Sequence, residues 1–149
     1  MKKFIIIFKI FLVYFFLTSY GLTKESNYLK KGIDLFQKKE YDKSKLHFEK
    51  DIVLDPKSEK SYLYLSKIFN IKENDEEEEV NLNNVLLLNP QNDEAVYLLT
   101  LLKIKQFDYN EAKNLAKKFN QVCNSFCSKK KEIEKKLKKL NPKNEENNN

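Results

Sequence analysis

The chain has 149 residues, enough for one small domain, and its 41% hydrophobic and 34% charged content indicates a folded core beneath a very polar surface. Only two glycines and three prolines are present, which favours long helices over turn-rich β-structure. All 28 basic residues are lysine and the net charge is only +6, so base reading by bidentate arginine is excluded and no nucleic-acid partner is expected.

Residues 1–22 have the three parts of a secretory signal peptide. They contain a basic start, an apolar run interrupted once at Lys9, and a small-x-small cleavage pattern at residues 19–21. The apolar run approaches the length that spans a bilayer, so an uncleaved membrane anchor is the alternative. Both interpretations take residues 23–149 out of the cytoplasm, to the periplasm or cell envelope.

The rest of the chain contains a repeat with a period of 34 residues. Two similar helix-terminating motifs, Leu-Asp-Pro ending at Pro56 and Leu-Asn-Pro ending at Pro90, lie 34 residues apart. Aromatic, small and apolar residues recur at matching places upstream. In the first repeat these are Tyr28, Gly32, Leu35, Ser44 and Phe48, and in the second Tyr62, Leu65, Ser66, Phe69 and Leu82. Such a period is typical of helix–turn–helix repeats.

This frame resembles the tetratricopeptide family. Residues 28–35 correspond to the family's W-x-x-L-G-x-x-Y signature, with Gly32 where two helices approach closely, although Lys31 departs from the expected leucine. Residues 39–42 resemble the family's turn. The resemblance implies an all-α solenoid of three helix pairs with a C-terminal capping helix. The ranges are 25–58, 59–92 and 93–124 for the repeats and 125–141 for the capping helix. The Asn- and Glu-rich composition of residues 142–149 predicts a disordered tail.

The second repeat departs from the family pattern in an acidic run at residues 73–79. Asp75 replaces the turn aromatic, and Glu78 replaces the small residue of the second helix. Because carboxylates are favoured at a helix N-terminus, the run predicts a solvated helix start. A calcium site is the alternative, but consecutive carboxylates on a helix point around its axis and lack the Gly-turned loop of such sites, so no metal is expected.

The C-terminal part predicts one more hairpin helix and a cap. Asp108 is placed to cap the second helix of the third repeat. Residues 126–140 predict a further helix with one apolar stripe, formed by Ile133, Leu137 and Leu140. Its polar back would close the open end of the solenoid. Its many lysines are interpreted as a solvated face, with contact to an anionic lipid surface as the alternative function.

The resemblance places a binding groove on the first helices of the three repeats. The positions carried over are Leu29, Ile33, Phe36, Leu63, Lys67, Ile71, Tyr97, Leu101 and Ile104. Most are apolar, so the predicted partner is an amphipathic helix or an extended apolar segment of another protein. The alternative is that several of these residues are buried against the next repeat or against the leader.

One subtype of the family can be tested against the same positions. Its chaperone-binding members clamp a peptide's terminal carboxylate with lysine, arginine and asparagine side chains. The matching positions here are Leu29, Ile33, Tyr64, Glu94 and Leu98. None carries a suitable group, so the resemblance does not imply that activity.

The remaining candidate residues are two cysteines and one histidine. Cys123 and Cys127 are spaced C-x-x-x-C at a predicted helix junction, where export permits a disulfide and free thiols are the alternative. His47 has no neighbouring nucleophile motif, and no phosphate-binding loop exists, so neither an enzyme nor a cofactor is expected. The predicted function is a non-enzymatic protein-interaction scaffold, exported or membrane-tethered, that helps assemble an envelope complex.

Overall fold

The computed structural model describes residues 25–140, which contain seven α-helices and no strand. Their bounds are α1 Asn27–Gln37, α2 Tyr41–Leu54, α3 Glu59–Ile71, α4 Asp75–Leu88, α5 Asp93–Lys105, α6 Tyr109–Val122 and α7 Lys130–Leu140. A short 3-10 turn, Cys127–Lys129, replaces the first part of the last predicted helix. The predicted all-α fold is confirmed, whereas the predicted leader and tail lie outside the described residues.

The helices form three hairpins that stack in chain order. Helix α1 packs on α2, α3 on α4 and α5 on α6, and each hairpin contacts the next through α2–α3 and α4–α5. Helix α7 packs on α6 and α5 at the end of the stack. No helix within residues 25–140 combines the length and the hydropathy needed to cross a bilayer.

The turn inside each hairpin repeats the same backbone geometry. Lys39, Glu73 and Phe107 lie 34 residues apart and have φ values of 60°, 56° and 59°. In the first turn the Glu40 amide donates to the Leu35 carbonyl at 3.0 Å, the Schellman pattern that satisfies a helix C-terminus. The left-handed conformation costs a non-glycine residue about 1–2 kcal/mol. The repeat is therefore present in the backbone although these three positions share no residue type.

Side-chain caps begin most of these helices. Ser26, Asn74, Asn92 and Asp108 each accept a hydrogen bond from the backbone amide three residues later. For Asp108 the donor is the Glu111 amide at 3.1 Å, which confirms its predicted role. Each such cap stabilises its helix by about 1 kcal/mol.

The first hairpin is tightly packed at Gly32. A Cβ atom placed there would lie 2.6 Å from Cε1 of Phe48, which is fully buried on α2. The Ser44 hydroxyl donates to the Gly32 carbonyl oxygen at 2.8 Å from the neighbouring turn of α2. The glycine is therefore the contact that lets the ring of α2 lie directly on the backbone of α1.

The prediction of a solvated acidic run is wrong for Glu78, which is 2% exposed. Asn70 donates its side-chain amide to Oε2 of Glu78 at 3.0 Å. Burial raises the pKa of Glu78, and this hydrogen bond opposes the rise only in part.

Two other members of the run are paired with lysines of α5. Asp75 lies 2.5 Å from Lys105, and Glu79 lies 2.6 Å from Lys103.

Glu78→Gln should raise the free energy of unfolding by about 1–2 kcal/mol at pH 7, because the amide keeps an acceptor for Asn70 without a buried charge. The folded-state pKa of Glu78 is raised above its ordinary 4.5. The free energy of unfolding of the wild-type chain therefore falls as the pH rises from 4.5 through the folded-state pKa. The gain should therefore vanish below pH 4.5. Urea titrations at pH 7 and pH 3.5 measure it. The exposed neighbour Glu76→Gln is the control, and an equal gain from that change would contradict the role assigned to burial.

Candidate functional site

The candidate site is the groove face, defined as the surface of α1, α3 and α5 that carries the nine predicted residues. Three of these form a buried row, one on each helix. Leu29, Leu63 and Tyr97 are 34 residues apart and are 5%, 9% and 7% exposed. Each belongs to a different cluster of the core. They support the groove face from below and offer a ligand almost no surface.

The other six predicted residues are accessible. Ile71 is 46% exposed. The half-buried ones are Ile33, Phe36, Lys67, Leu101 and Ile104. Since only Lys67 among these six is charged, the groove face presents apolar side chains from all three hairpins.

Lys67 is already paired within the chain. Its Nζ lies 2.7 Å from Oε1 of Glu94 on α5, and the two side chains are 25% and 24% exposed. The same ammonium lies 4.9 Å from the ring centroid of Tyr64, a favourable cation–π distance. The pair ties α3 to α5 and leaves the middle of the groove face without net charge.

Phe36 is held by aromatic neighbours from both adjacent helices. Its ring meets Tyr64 at 5.1 Å and 72°, and Tyr41 at 5.5 Å and 66°. Tyr64 in turn stacks on Phe48 at 5.0 Å and 13°. Edge-to-face and stacked contacts are the favourable geometries for aromatic pairs. Phe36 is therefore oriented before any partner arrives.

The C-terminal helix covers the last hairpin at Tyr97. The Tyr97 ring lies 6.0 Å from Phe119 and 5.9 Å from Phe126, and Nζ of Lys129 is 5.6 Å from its centroid. Burial raises the pKa of the Tyr97 hydroxyl, and its hydrogen bond to Glu132 raises it further. On α5 the accessible part of the groove face is therefore reduced to Leu101 and Ile104.

The loop before this cap is held at two places. The Asp93 carboxylate accepts three consecutive backbone amides, those of Asn124, Ser125 and Phe126, at 2.8, 2.6 and 2.9 Å. Burial alone would raise the pKa of Asp93, but these hydrogen bonds outweigh it and lower the pKa. The structure also joins Cys123 and Cys127 in a disulfide, with Cα atoms 5.1 Å apart.

Sequence reasoning missed a buried carboxylate where α2 meets the starts of α1 and α3. Asp51 is 2% exposed and accepts hydrogen bonds from three serine hydroxyls, those of Ser26, Ser58 and Ser61. Burial alone would raise the pKa of Asp51, but the three hydroxyls outweigh it and lower the pKa. A cleft of about 490 Å³ opens beside this group. With three donors in place, Asp51 holds three helices together rather than offering a free base.

His47 lies half-buried on α2, with its ring centroid 5.9 Å from that of Tyr28. Its Nδ1 atom is buried without a hydrogen-bond partner among the described residues. Within residues 25–140 no three His, Cys, Asp or Glu side chains come together as a metal site. The contact with Tyr28 on α1 makes the histidine part of the packing of the first hairpin.

Solved structures share this arrangement of helices. PilF of Pseudomonas aeruginosa is similar with a TM-score of 0.64 and 15% identity over 79% of this chain, which spans 52% of that chain. The first TPR of Spaghetti (RPAP3), solved bound to the HSP90 peptide SRMEEVD, is similar with a TM-score of 0.67 and 18% identity. That match covers 84% of this chain and 99% of the other. No family model and no curated protein sequence matches the chain.

Three features now agree: the 34-residue period of the sequence, the same period in the left-handed turn residues, and the likeness to these two structures. The likeness concerns the fold, since both identities are below 20%. Residues 25–140 therefore have the tetratricopeptide-repeat fold that the sequence resemblance predicted.

Proposed function

We propose that the groove face binds an apolar or amphipathic segment of another protein and that the chain is a non-enzymatic scaffold. One observation carries this proposal. The first helices of all three hairpins present accessible apolar side chains, namely Ile33, Phe36, Ile71, Leu101 and Ile104. An amphipathic helix or extended segment buries its apolar side on such a surface. The peptide-bound structure of the first TPR of RPAP3 supports the same use of this fold.

The preferred segment is one without a carboxylate at the contact. Glu94 lies at a position where chaperone-binding relatives carry a cationic or amide group, and Lys67 is already paired with it. Because Lys67 is committed to Glu94, this part of the groove face offers no free cation to a second carboxylate, and burying that charge without a partner would cost free energy. The partner is therefore expected to present aliphatic or aromatic side chains, not an acidic chain end.

The proposal includes export and a role in assembling an envelope complex. Its support is the leader pattern of residues 1–22 and the disulfide between Cys123 and Cys127, a bond that persists in oxidising compartments. Cell fractionation followed by mass measurement of the mature chain tests it. A chain lacking its first 22 or so residues indicates a cleaved leader, and an intact chain in the membrane fraction indicates an anchor. Recovery in the cytosol would overturn this part of the proposal.

The binding proposal is tested with the full chain as bait against the envelope fraction of its source. Ile71→Glu and Leu101→Glu place charges on the groove face at accessible positions and should reduce recovery of a stoichiometric partner at least tenfold. Phe107→Glu is the control, because Phe107 is 81% exposed and lies in the α5–α6 turn, outside the three helices that form the groove face. Circular dichroism must show all three variants folded. Unchanged recovery with both groove variants would refute the assignment.

A second function rests on α7. Ile133 is 2% exposed against the last hairpin, so the lysines of this helix lie on its outer side. The exposed lysines of α7 are Lys131, Lys135, Lys136, Lys138 and Lys139. Each well-placed lysine adds about 1 kcal/mol of attraction to an anionic bilayer. Sedimentation with vesicles containing phosphatidylserine should then fall steeply with salt, and salt-independent or absent binding would remove this alternative.

A further inference from the structure

An apolar cleft lies where the described part of the chain begins. Its volume is about 340 Å³, and it lies between the first turn of α1 and the C-terminal part of α2. Tyr28, Val53 and Leu54 line it and are 38%, 80% and 67% exposed. We name these three residues the entry patch. Single exposed apolar residues are ordinary, but residues that line one cleft form a contiguous surface, and such a surface indicates a binding partner.

The charges around the entry patch include no acidic excess. Lys50 and Glu49 also line the cleft, and the Glu49 carboxylate is paired with Lys45 at 2.5 Å. Just beyond α2 the exposed Asp55 and Lys57 carry opposite charges, and the Asp55 carboxylate accepts the Lys57 backbone amide at 3.0 Å. Lys50 therefore adds a positive charge to nearly neutral surroundings. The patch can approach lipid phosphates without repulsion between like charges.

The side chains of the cleft are of the kinds found at the level of lipid headgroups. Tyrosine is enriched there because its ring is apolar and its hydroxyl is polar, and lysine lays its stem on apolar surface while its ammonium reaches water. Here Nζ of Lys50 lies 6.0 Å from the ring centroid of Tyr28. Val53 and Leu54 are the aliphatic side chains beside them. This combination favours a lipid surface.

The place where the chain enters the fold selects a bilayer as the occupant. The apolar run of residues 4–17 ends 11 residues before Tyr28. Because an extended chain spans at most about 3.6 Å per residue, a run held in a bilayer keeps the entry patch within about 40 Å of that membrane. The Ser26 hydroxyl donates to Asp51 of α2, which fixes the beginning of α1 beside the patch.

The starts of α3 and α5 lie at the same end of the stack. Lys60 on α3 pairs with Glu25, and Asn92, the cap of α5, donates to Glu59 at 2.5 Å. Helix α5 has 13 residues and is about 20 Å long, so Phe107 in the turn after it lies at the opposite end. The hairpins therefore have one end beside the entry patch and one end away from it.

We propose that the entry patch lies on the surface of a lipid bilayer that holds residues 4–17. Tyr28 and Lys50 lie among the headgroups, and Val53 and Leu54 enter the outer part of the acyl chains. The inference rests on the membrane-tethered form of the proposed function and adds an orientation to it. The starts of α1, α3 and α5 face the membrane, and the turns within the hairpins face away.

Fluorescence quenching by lipid tests this contact in the full chain. The chain is reconstituted in phosphatidylcholine vesicles whose acyl chains carry a spin label, and a fluorophore is attached at Val53→Cys. The native cysteines are bonded to each other, so the new thiol alone is labelled. Phe107→Cys is the matched control, because Val53 is 80% and Phe107 is 81% exposed. Quenching at Val53 should exceed that at Phe107 at least threefold, and equal quenching would overturn the inference.

Salt separates this contact from attraction by the lysines of α7. That attraction needs anionic lipid and weakens as salt is added, whereas phosphatidylcholine carries no net charge. Quenching at Val53→Cys should therefore be the same in low and high salt. Quenching that disappears in high salt would assign the contact to charge and refute the apolar entry patch.

A second set of variants tests the aliphatic side chains themselves. A fluorophore at Lys57→Cys, in the exposed turn after α2, should be quenched as strongly as one at Val53. Adding Val53→Asp and Leu54→Asp should reduce that quenching to the Phe107 level, while circular dichroism shows a folded chain and flotation with the vesicles is unchanged. Quenching that survives the two aspartates would contradict the proposal.

Other occupants of the patch give different results. In detergent, protection of the Val53→Cys thiol that persists on dilution would show that the leader covers the patch. Protection that grows with protein concentration would show a second copy, and either result overturns the inference. A chain that does not float with the vesicles lacks the tether, which ends both this inference and the tethered form of the proposed function. None of these variants changes the groove face, so partner binding there is judged separately.

Discussion

Gly32→Ala should lower the free energy of unfolding by about 2–3 kcal/mol, although alanine in an ordinary helix is about 1 kcal/mol better than glycine. The reason is steric. The new Cβ would lie 2.6 Å from Cε1 and 2.8 Å from Cδ1 of Phe48. That ring is fully buried and stacks on Tyr64 at 5.0 Å, so it has no free space to enter. Urea or thermal unfolding followed by circular dichroism measures the loss.

A double-mutant cycle identifies the cause. Phe48→Leu removes the clashing ring edge, so in that background Gly32→Ala should cost less than about 1 kcal/mol, which gives a coupling energy above 1 kcal/mol. Ser66→Ala is the positional control, since Ser66 occupies the same place in the second repeat and already has a Cβ. A net gain of stability from Gly32→Ala in the wild-type background would show that the first hairpin is not limited by this contact.

Asp51→Ala should lower the free energy of unfolding by about 3 kcal/mol at pH 7, because it leaves three serine hydroxyls without their acceptor in a buried place. Those hydroxyls belong to Ser26, Ser58 and Ser61, so the loss loosens both the start of α1 and the junction with α3. Asp51→Asn keeps one acceptor oxygen and should cost about half as much. Denaturant titration of the three proteins gives the comparison.

The effect should depend on pH in a defined direction. The folded-state pKa of Asp51 lies below its ordinary 3.8, so its stabilisation is complete above that value and is lost as the pH falls through the folded-state pKa. The difference between wild type and Asp51→Ala should therefore shrink in strong acid. Asp55→Ala, one turn later and exposed, should change stability by less than about 1 kcal/mol. Equal losses from the two alanine variants would refute the special role of Asp51.

The sequence predicted those parts of the fold, mainly helix ends, that depend on one or a few neighbouring residues. Pro56 and Pro90 mark the C-terminal ends of α2 and α4, and Asp108 marks the start of α6. Each of these signals can be recognised without the rest of the chain. The 34-residue period then relates one hairpin to the next. The left-handed turns at Lys39, Glu73 and Phe107 escaped notice because no glycine marks them.

The buried acids were not predicted because their hydrogen-bond partners belong to other helices or to the caps of other helices. Asp51 is satisfied by serines of two other helices, and Glu78 by Asn70 of the preceding helix. A usable signal existed for Asp51, since the matching positions in the other repeats are the buried apolar residues Val85 and Phe119. An acid at a position that is otherwise apolar is a candidate buried carboxylate.

The sequence allowed for burial of several groove-face residues but did not show which of them are buried. Leu29 and Ile33 lie one turn apart on the same side of α1, yet the first is buried and the second is half-accessible. The difference depends on which side chains of α2 and α3 cover each position. That is a matter of tertiary packing, which the spacing of residues along one helix does not contain.

The neighbour-to-neighbour stacking of the hairpins has a consequence for how the chain reaches its final shape. The main helix contacts join elements that are consecutive or next but one, from α1 to α7. No described segment must wait for a far part of the polypeptide before it can bury its apolar side, and short loops close at little entropic cost. Folding can therefore begin at one hairpin and proceed along the chain, with each new hairpin packing on the one before it.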